Sequence, residues 1–529
     1  VRDSATGATL APYGHLSRLW LCRLNVDCPA GAASRARDAL MATGIPRYRV
    51  EGGWLYGAWL ARGGQAGQAA RSLESVVRDV IFFRTSVPGV MGDWTWRTGD
   101  ILARDLLEAR RAGGSSEALL MDLARLRWLR ASDATLGLPF DRTVAALDTD
   151  DLRAQLGRRV APGRTDDPDQ LSRELNRRFD EGRARFDAVT GFLDDRALQP
   201  WLATLGPGEA VLDFDLSGSR ALALLGTPSG VSRIDMGPAS PLRNWTNLLG
   251  QMNDGFAPSD LQDWGRRLLR PLQARMPERV YLASADSVAL LPLEAVRLEG
   301  ESIAERHRFI RLASFPARHS PSDRLQKVSA DRVFLAGAPS DYRAGFLARL
   351  DTDPELAVVM DRFLGPGLQV IQGSALAPDE FTTPAFREAD LVHLAMPGSL
   401  DRSKPVLSWL ELSELQGGGR RERLSAPALN SWDLEADLVT FSRTRWTTVE
   451  GPGAGRPPLV TGALAGGARV VLATGWTASD PIADGVLAAF YDGLLAGQEP
   501  DRALASAQQA SRRMGASDRD WARWQLWLD

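Results

Sequence analysis

A short apolar run follows paired glycines in residues 462–476, which read Gly462-Ala-Leu-Ala-Gly-Gly-Ala-Arg-Val-Val-Leu-Ala-Thr-Gly-Trp. Four similar runs precede it, separated by helical stretches, at Val280 to Ala283, Val333 to Ala336, Leu391 to Ala395 and Leu438 to Phe441. Short apolar strands that alternate with helices indicate a mostly parallel sheet covered on both faces. We therefore predict an α/β fold for the C-terminal part of the chain.

Three further strands are predicted just before these runs. Residues 209–216, 220–226 and 230–236 are short apolar or alternating segments joined by Gly and Ser turns. The α/β region is therefore expected to begin near residue 200 and to extend to residue 529.

Residues 1–195 are predicted to be mainly helical. Apolar residues recur at steps of three and four in residues 72–83 and 101–111, which is the signature of one buried helix face. The second helix is expected to end near Gly113-Gly114, and residues 119–129 and 171–192 give two more candidates. Such helices suggest a divergent, tetratricopeptide-like (TPR-like) array, although no clean repeat of about 34 residues is present. Residues 162–168 predict a turn or linker.

The composition is typical of a globular protein. The chain has 529 residues, of which 44% are apolar and 24% charged, and this length predicts roughly two to four domains. A formal charge of −3 gives no electrostatic reason to expect binding to nucleic acid. Lys327 and Lys404 are the only lysines among 63 basic residues, and this excess of Arg is typical of a GC-rich bacterial genome.

The cysteines limit the chemistry and the compartment. Cys22 and Cys28 are the only two, so we expect no disulfide scaffold, no metal site and no cofactor. We expect two free thiols in a cytoplasmic protein; the alternative is a bond that closes a short loop in an oxidising compartment. No apolar run reaches the roughly 18 residues that span a bilayer. The first residue is Val, so the N-terminus is expected to be processed or truncated.

Six segments, taken in order, carry a resemblance to a known family. Gly206 to Phe214 is similar to its opening strand, and residues 280–295 are similar to its VPDGPLHLLPFEAL segment. Residues 391–398 resemble HLATHG, residues 437–444 resemble DLVVLSAC, and residues 462–476 resemble AFLAAGARSVVASLW. Residues 503–508 and 521–524 resemble the closing ALRAAQ helix and WAAF strand. This family is the CHAT domain family, caspase-like relatives of separase and gingipains that are often attached to TPR arrays. The resemblance implies a caspase-like domain over residues 200–529.

The resemblance also implies that the peptidase dyad is degenerate. The family's chemistry needs a Cys thiolate at the end of the SAC strand and a His at the end of the HLATHG strand. This sequence has Pro397 at the His position and Thr444 at the Cys position. Proline has no ionisable side chain, and a threonine hydroxyl is a far weaker nucleophile than a thiolate.

A replacement dyad would have to combine Ser442 or Thr444 with His393. The resemblance matches His393 to the first His of the motif, four residues before the catalytic position and about 13 Å from it along a strand. A single His in an apolar strand is more often a hydrogen-bonded core residue than a base, and a catalytic Thr needs a base that is not evident here. The other histidines are expected to be structural or at the surface: His15, His307 and His319.

A peptide-binding cleft is the remaining candidate site. The resemblance matches Trp476 and Asp480 to the family's LWPVDD segment, which lines the substrate pocket, and an acidic side chain there would suit a basic residue of a peptide. The alternative is that Trp476 belongs to the core and that Asp480 caps a helix beginning at Pro481. We therefore take Trp476, Asp480, Ser442 and His393 as candidate peptide-binding residues.

Two other features of the sequence resemble possible sites. The Gly-rich stretch from Glu450 to Pro458 lacks the Gly-Lys-Ser/Thr end of a phosphate loop, so we predict a flexible loop and no nucleotide site. Most of the sixteen tryptophans, which include Trp94, Trp96 and Trp128 in the helical region, are expected in the core. Any exposed tryptophan would mark a partner surface.

We therefore predict an inactive pseudo-peptidase that binds a protein or peptide partner as a scaffold or regulator. The alternative is a divergent cysteine-peptidase-like hydrolase that uses Ser442 or Thr444. A third possibility is a drifting copy without a selected role.

Overall fold

The computed structural model describes most of the chain. The described residues are 4–24, 28–29, 31–43, 46–86, 92–131, 177, 195–244, 258–283, 288, 291–313, 315, 320–337, 354–372, 376–396, 398–399, 408–414, 421–443, 457–475 and 484–528. They divide into two compact units, one up to Leu198 and the other from Gln199 onward.

The described part of the first unit contains six long helices. They are α1 Ser4–Arg23, α2 Ala32–Ala42, α3 Pro46–Arg62, α4 Ala66–Ser86, α5 Gly92–Gly113 and α6 Ser116–Ala131. The predicted stretches at 72–83, 101–111 and 119–129 fall within α4, α5 and α6, so the helical prediction for this region is confirmed. The helix predicted at 171–192 lies outside the described residues apart from residue 177, and so does the linker at 162–168.

The two cysteines form a disulfide in the first unit. Cys22 lies in the last turn of α1, and the chain reverses before α2, which brings the Cα atoms of Cys22 and Cys28 to 4.8 Å. This separation is within the range that a disulfide requires. The expectation of two free thiols is therefore wrong.

Sixteen strands are described in the second unit. Ten helices are described with them, and the first of these helices spans the boundary between the two units. The strands are β1 Glu209–Asp215, β2 Arg220–Thr227, β3 Gly230–Pro238, β4 Arg279–Leu282, β5 Arg297–Leu298, β6 Glu301–Ser302, β7 Arg308–Leu312, β8 Val333–Gly337, β9 Leu368–Gln372, β10 Leu391–Ala395, β11 Gly398–Ser399, β12 Trp409–Glu414, β13 Arg421–Ser425, β14 Leu438–Phe441, β15 Val470–Thr474 and β16 Trp524–Leu528. The helices are α7 Asp195–Leu202, α8 Pro258–Leu269, α9 Pro321–Arg324, α10 Pro354–Met360, α11 Pro384–Arg387, α12 Ala426–Leu429, α13 Pro458–Ala465, α14 Asp484–Leu495, α15 Pro500–Arg513 and α16 Asp518–Trp521. Short 3₁₀ helices lie at Leu293–Ala295, Ile303–Glu305 and Pro378–Thr382.

Eleven of the strands form one sheet in the order β3-β2-β1-β4-β7-β16-β15-β14-β10-β8-β9. Neighbouring strands are parallel except in the pairs β1–β2, β2–β3 and β15–β16. The predicted α/β fold with a mostly parallel sheet is therefore confirmed. The eight strands predicted from apolar runs are β1 to β4, β8, β10, β14 and β15.

The part of the sheet around β10 is covered on both faces. On one face Val392, Val439 and Val471 join a buried apolar cluster that includes Phe386 and Trp432. Alternate residues of the same strands point to the other face, where α10 and α14 lie. No described helix is both long and apolar enough to cross a membrane.

Candidate functional site

The strands β10 and β14 bring the two sequence motifs together. They run side by side in parallel, and His393 is the register partner of Thr440. Beyond the strand ends, the backbone N–H of Ser442 donates to the carbonyl of Leu394 at 3.3 Å, and that of Gly398 donates to the carbonyl of Arg443 at 3.4 Å. The backbone segments next to positions 397 and 444 therefore meet at the carboxyl ends of these strands.

His393 lies beneath this point and is fully buried. Its Nε2 is 3.0 Å from Oε1 of Glu355, at the start of α10. Its Nδ1 is 2.9 Å from the hydroxyl of Tyr491, in α14. That hydroxyl donates to Oγ1 of Thr440 at 3.0 Å. Both ring nitrogens of His393 are therefore engaged by buried side chains.

The direction of one of these hydrogen bonds is set by Tyr491. Because the Tyr491 hydroxyl donates its proton to Thr440, its oxygen is left to accept from Nδ1 of His393. The other ring nitrogen lies 3.0 Å from the Glu355 carboxylate, which is ion-pair distance. These two contacts hold the ring in place.

Glu355 is the negative centre of this network. Its Oε2 accepts from Nε of Arg443 at 3.1 Å. Burial alone would raise the pKa of Glu355, but His393 and the charge of Arg443 lower it to about 2. Burial raises the pKa of Tyr491 well above its ordinary value. Near neutral pH the group therefore holds an ionised carboxylate and an un-ionised phenol.

A family model identifies the domain. The model for the CHAT domain matches residues 260–527. The chain belongs to the CHAT domain family.

Other comparisons add little to this assignment. A solved structure of the Saccharomyces cerevisiae separase–securin complex is similar over 98% of this chain, with 9% sequence identity and a TM-score of 0.38. The chain spans 47% of the length of that protein chain, and a similarity at this level establishes neither a shared fold nor a shared activity. A comparison with curated proteins gives no match.

Two of the predicted site residues, His393 and Ser442, lie among the described residues of the CHAT domain. His393 and Ser442 are 0% and 4% exposed, so a peptide could reach them only after a change from the described conformation. Their role in peptide binding stays a prediction. Pro397, Thr444, Trp476 and Asp480 lie outside the described residues, as does the Gly-rich stretch up to residue 456.

The described part of the site also contains residues that sequence reasoning missed: Glu355, Tyr491, Thr440 and Arg443. Glu355 stands in the otherwise apolar helix Pro-Glu-Leu-Ala-Val-Val-Met, and a buried acid in such a helix needs a partner. A single acidic residue in an apolar helix was therefore the sequence feature that could have pointed to Glu355. Among the described residues, no group of three or more His, Cys, Asp or Glu side chains could hold a metal ion.

The remaining described histidines are His15 and His307. His307 is largely buried, and its Nδ1 lies 2.7 Å from the carbonyl of Pro277. Burial lowers its pKa. This contact suits the predicted structural role, whereas His319 lies outside the described residues.

Proposed function

We propose that this CHAT domain has no peptidase activity and acts as a protein-binding scaffold or regulator. The observation that carries the proposal is the closed network around His393, which occupies both ring nitrogens beneath the ends of β10 and β14. Pro397 and Thr444, at the positions that the family uses for its dyad, support the same proposal from the sequence.

The chemistry of the network argues against a substitute dyad. A general base works best with a pKa near the working pH, and the pKa of Glu355 at about 2 makes it a weak base. A nucleophile must also reach the scissile carbonyl, and Ser442 is 4% exposed. The CHAT fold would then serve recognition without cleavage, through the proposed cleft near Trp476 and Asp480.

The proposal is tested by incubating the purified full chain with a peptide library and with thiol-directed peptidase probes. We expect no cleavage and no labelling, with a cysteine peptidase as the positive control. Cleavage that disappears in Thr444→Ala would overturn the proposal. A second variant combines Pro397→His with Thr444→Cys, and activity gained there would indicate that the substrate pocket is retained.

The competing proposal is a divergent hydrolase that uses Ser442 or Thr444. One observation favours it: the buried Oγ of Ser442, next to the end of β14, has no hydrogen-bond partner among the described residues. If this serine is the nucleophile, the chain will cleave a peptide or ester substrate and Ser442→Ala will abolish the reaction while the protein stays folded.

The acidic cleft proposal has its own test. Asp480 would bind a basic side chain of the partner, so Asp480→Asn should weaken binding of an Arg-containing peptide selected from a library by about tenfold. A matched peptide with Gln in place of Arg should not respond to this change.

The boundary at residue 200 and the TPR-like nature of residues 1–195 remain part of the proposal, since the family match begins at residue 260.

A further inference from the structure

The first helix of the chain has two apolar faces. One faces the interior of the first unit, where Leu19 and Cys22 are 0% and 1% exposed. The other carries large, partly exposed apolar side chains: Tyr13, Trp20, Leu21 and Leu24 are 57%, 43%, 39% and 58% exposed. The rings of Tyr13 and Trp20 also contact Tyr48 and Trp54 of α3 edge-on. A helix that is apolar on both sides is ordinarily covered on both sides.

The exposed apolar residues form a stripe that the polar Ser17 interrupts between Tyr13 and Trp20. Tyr13, Trp20 and Leu24 follow at steps of seven and four residues, which places them on one side of a helix. The backbone N–H of Leu24 donates to the carbonyl of Trp20 at 3.0 Å, so the helical path continues to the end of the stripe. At about 1.5 Å per residue the stripe is about 16 Å long, which is about three turns of a partner helix.

Positive charge borders the stripe. The guanidinium carbon of Arg23 lies 5.3 Å from the ring centre of Trp20 and 4.7 Å from that of Trp54. Arg62 donates to the backbone carbonyl of Arg23 at 2.6 Å. Asp105 contacts Arg23 at 3.3 Å and Arg104 at 3.6 Å.

These contacts bring together the guanidinium groups of Arg23, Arg62 and Arg104 and the carboxylate of Asp105. Burial, together with the nearby charges of Arg62 and Arg104, lowers the pKa of Arg23 in spite of Asp105. An added negative charge would therefore be favoured beside this group. We call Trp20, Leu21, Leu24, Arg23, Arg62 and Arg104 the α1 patch.

We propose that the α1 patch binds an acidic amphipathic helix of a partner protein. The apolar stripe matches the apolar face of such a helix, and the surplus of Arg matches its acidic residues. Tryptophan and arginine are the residue types that contribute most to protein interfaces. The proposal rests on the proposed protein-binding function and names the surface and the partner chemistry.

A protein partner fits the patch better than a polyanion or a membrane. Leu21 and Leu24 offer nothing to a phosphate backbone. Arg23 is fixed between two indole rings and a carboxylate, with 15% of its side chain exposed, so it is not a free side chain that could follow a lipid surface.

The test measures fluorescence anisotropy of three labelled 18-residue peptides with the full chain. The acidic peptide has Leu and Phe on one helical face and Glu on the other. A basic peptide replaces each Glu with Lys, and a polar peptide replaces each Leu and Phe with Ser. We expect the acidic peptide to bind at least about tenfold more tightly than the other two, and more weakly as the salt concentration rises.

Surface variants locate the binding. Leu24→Glu should weaken the acidic peptide about tenfold, and Arg104→Glu should weaken it about fivefold and reduce its salt dependence. Met514→Glu is the matched control, because Met514 is 74% exposed in the second unit and should leave binding unchanged. Thermal unfolding checks that each variant is folded, and since Leu24 is mostly exposed its variant is expected to fold.

Several results would overturn the proposal. They are equal affinity for the acidic and basic peptides, no binding of the acidic peptide, and unchanged affinity in Leu24→Glu. Tighter, Leu24-dependent binding of a 20-nucleotide single strand or of phosphatidylserine vesicles would point to a different partner and contradict it as well. If the acidic peptide does not bind and no peptide is cleaved, the α1 patch proposal fails and the inactive-peptidase proposal stands. If peptides are cleaved and the acidic peptide still binds, only the inactive-peptidase proposal fails.

Discussion

Two buried clusters of charged side chains lie in the same sheet, one at the amino ends of β1 and β4 and one beneath the carboxyl ends of β10 and β14. The first cluster centres on Arg279, the first residue of β4. Its guanidinium donates to Glu209 at 2.7 Å, to Asp501 at 2.8 Å and to Glu499 at 2.6 Å. Glu209 begins β1, and Asp501 lies in the first turn of α15, so this cluster ties strand starts to a helix.

The second cluster is the Glu355, His393 and Arg443 group beneath the ends of β10 and β14. It lies at the carboxyl ends of its strands, where open α/β sheets place their ligand sites. Because β15 and β16 are antiparallel, β1 and β4 run opposite to β10 and β14, and the two clusters lie toward the same end of the sheet. In this chain the second group is closed on itself, so both clusters should contribute to stability.

The largest effect is expected from breaking the first cluster. Arg279→Met would leave Glu209 buried without its counter-ion and Asp501 with only Arg308 beside it, and removal of one partner of a buried ion pair costs about 4 kcal/mol. The free energy of unfolding of the second unit, measured by urea titration of the full chain, should fall by this amount.

An exposed pair provides the control for that measurement. Arg220 contacts Asp235 through side chains that are 60% and 49% exposed. Arg220→Met should leave the unfolding curve unchanged, since exposed ion pairs contribute little. If Arg279→Met and Arg220→Met lowered the free energy of unfolding equally, burial of the ion pair would not determine its contribution to stability.

A smaller effect, with a distinct pH dependence, is expected from the second cluster. The pKa of Glu355 is about 2 in the folded protein, against an ordinary value of 4.5. A carboxyl group with a lowered pKa stabilises the fold fully above its unfolded pKa and loses that contribution as the pH falls through the folded value. A shift of this size corresponds to about 3 kcal/mol.

Glu355→Gln isolates this contribution. At pH 7 the variant should be less stable than the parent chain by about 3 kcal/mol, and the difference should shrink as the pH falls from about 5 to about 2. Urea titrations at several pH values measure both quantities. A difference that stays constant over this range would mean that Glu355 is not held ionised by His393 and Arg443.

The strands of the sheet could be predicted from sequence where each is a continuous run of apolar residues. The run Val470 to Ala473 can be recognised as a strand because all four residues are apolar, and in the structure all four are buried. β7 reads Arg-Phe-Ile-Arg-Leu and was missed. Arg311 is fully buried there only because Glu294, on a different segment, supplies contacts at 2.7 and 3.1 Å. A tertiary partner made this residue compatible with the interior, and no local pattern contains that information.

The same distinction applies to the site. The position of His393 in a buried strand follows from its apolar neighbours, and its role as a hydrogen-bonded core residue could be anticipated. Its partners could not, because Tyr491 is 98 residues away in sequence and meets it only when α14 packs on the sheet. Cys22 and Cys28 show the reverse case, since they are only six positions apart in sequence and yet a general expectation about compartment gave the wrong state.

The smallest of the three effects concerns the neutral part of the second cluster. Tyr491→Phe removes the hydroxyl that joins His393 to Thr440 and leaves two buried polar groups without that partner, while the ion pair with Glu355 stays intact. Loss of one buried neutral hydrogen-bonding group costs about 1 to 2 kcal/mol, less than loss of the charged partner. The variant should therefore be destabilised at pH 7 by less than Glu355→Gln and should keep the acid dependence of the parent chain. If Tyr491→Phe instead abolished that dependence, the low pKa of Glu355 would depend on the orientation that Tyr491 gives to the His393 ring. The charged and neutral parts of the cluster would then act as one unit, unlike the pairwise ion contacts around Arg279.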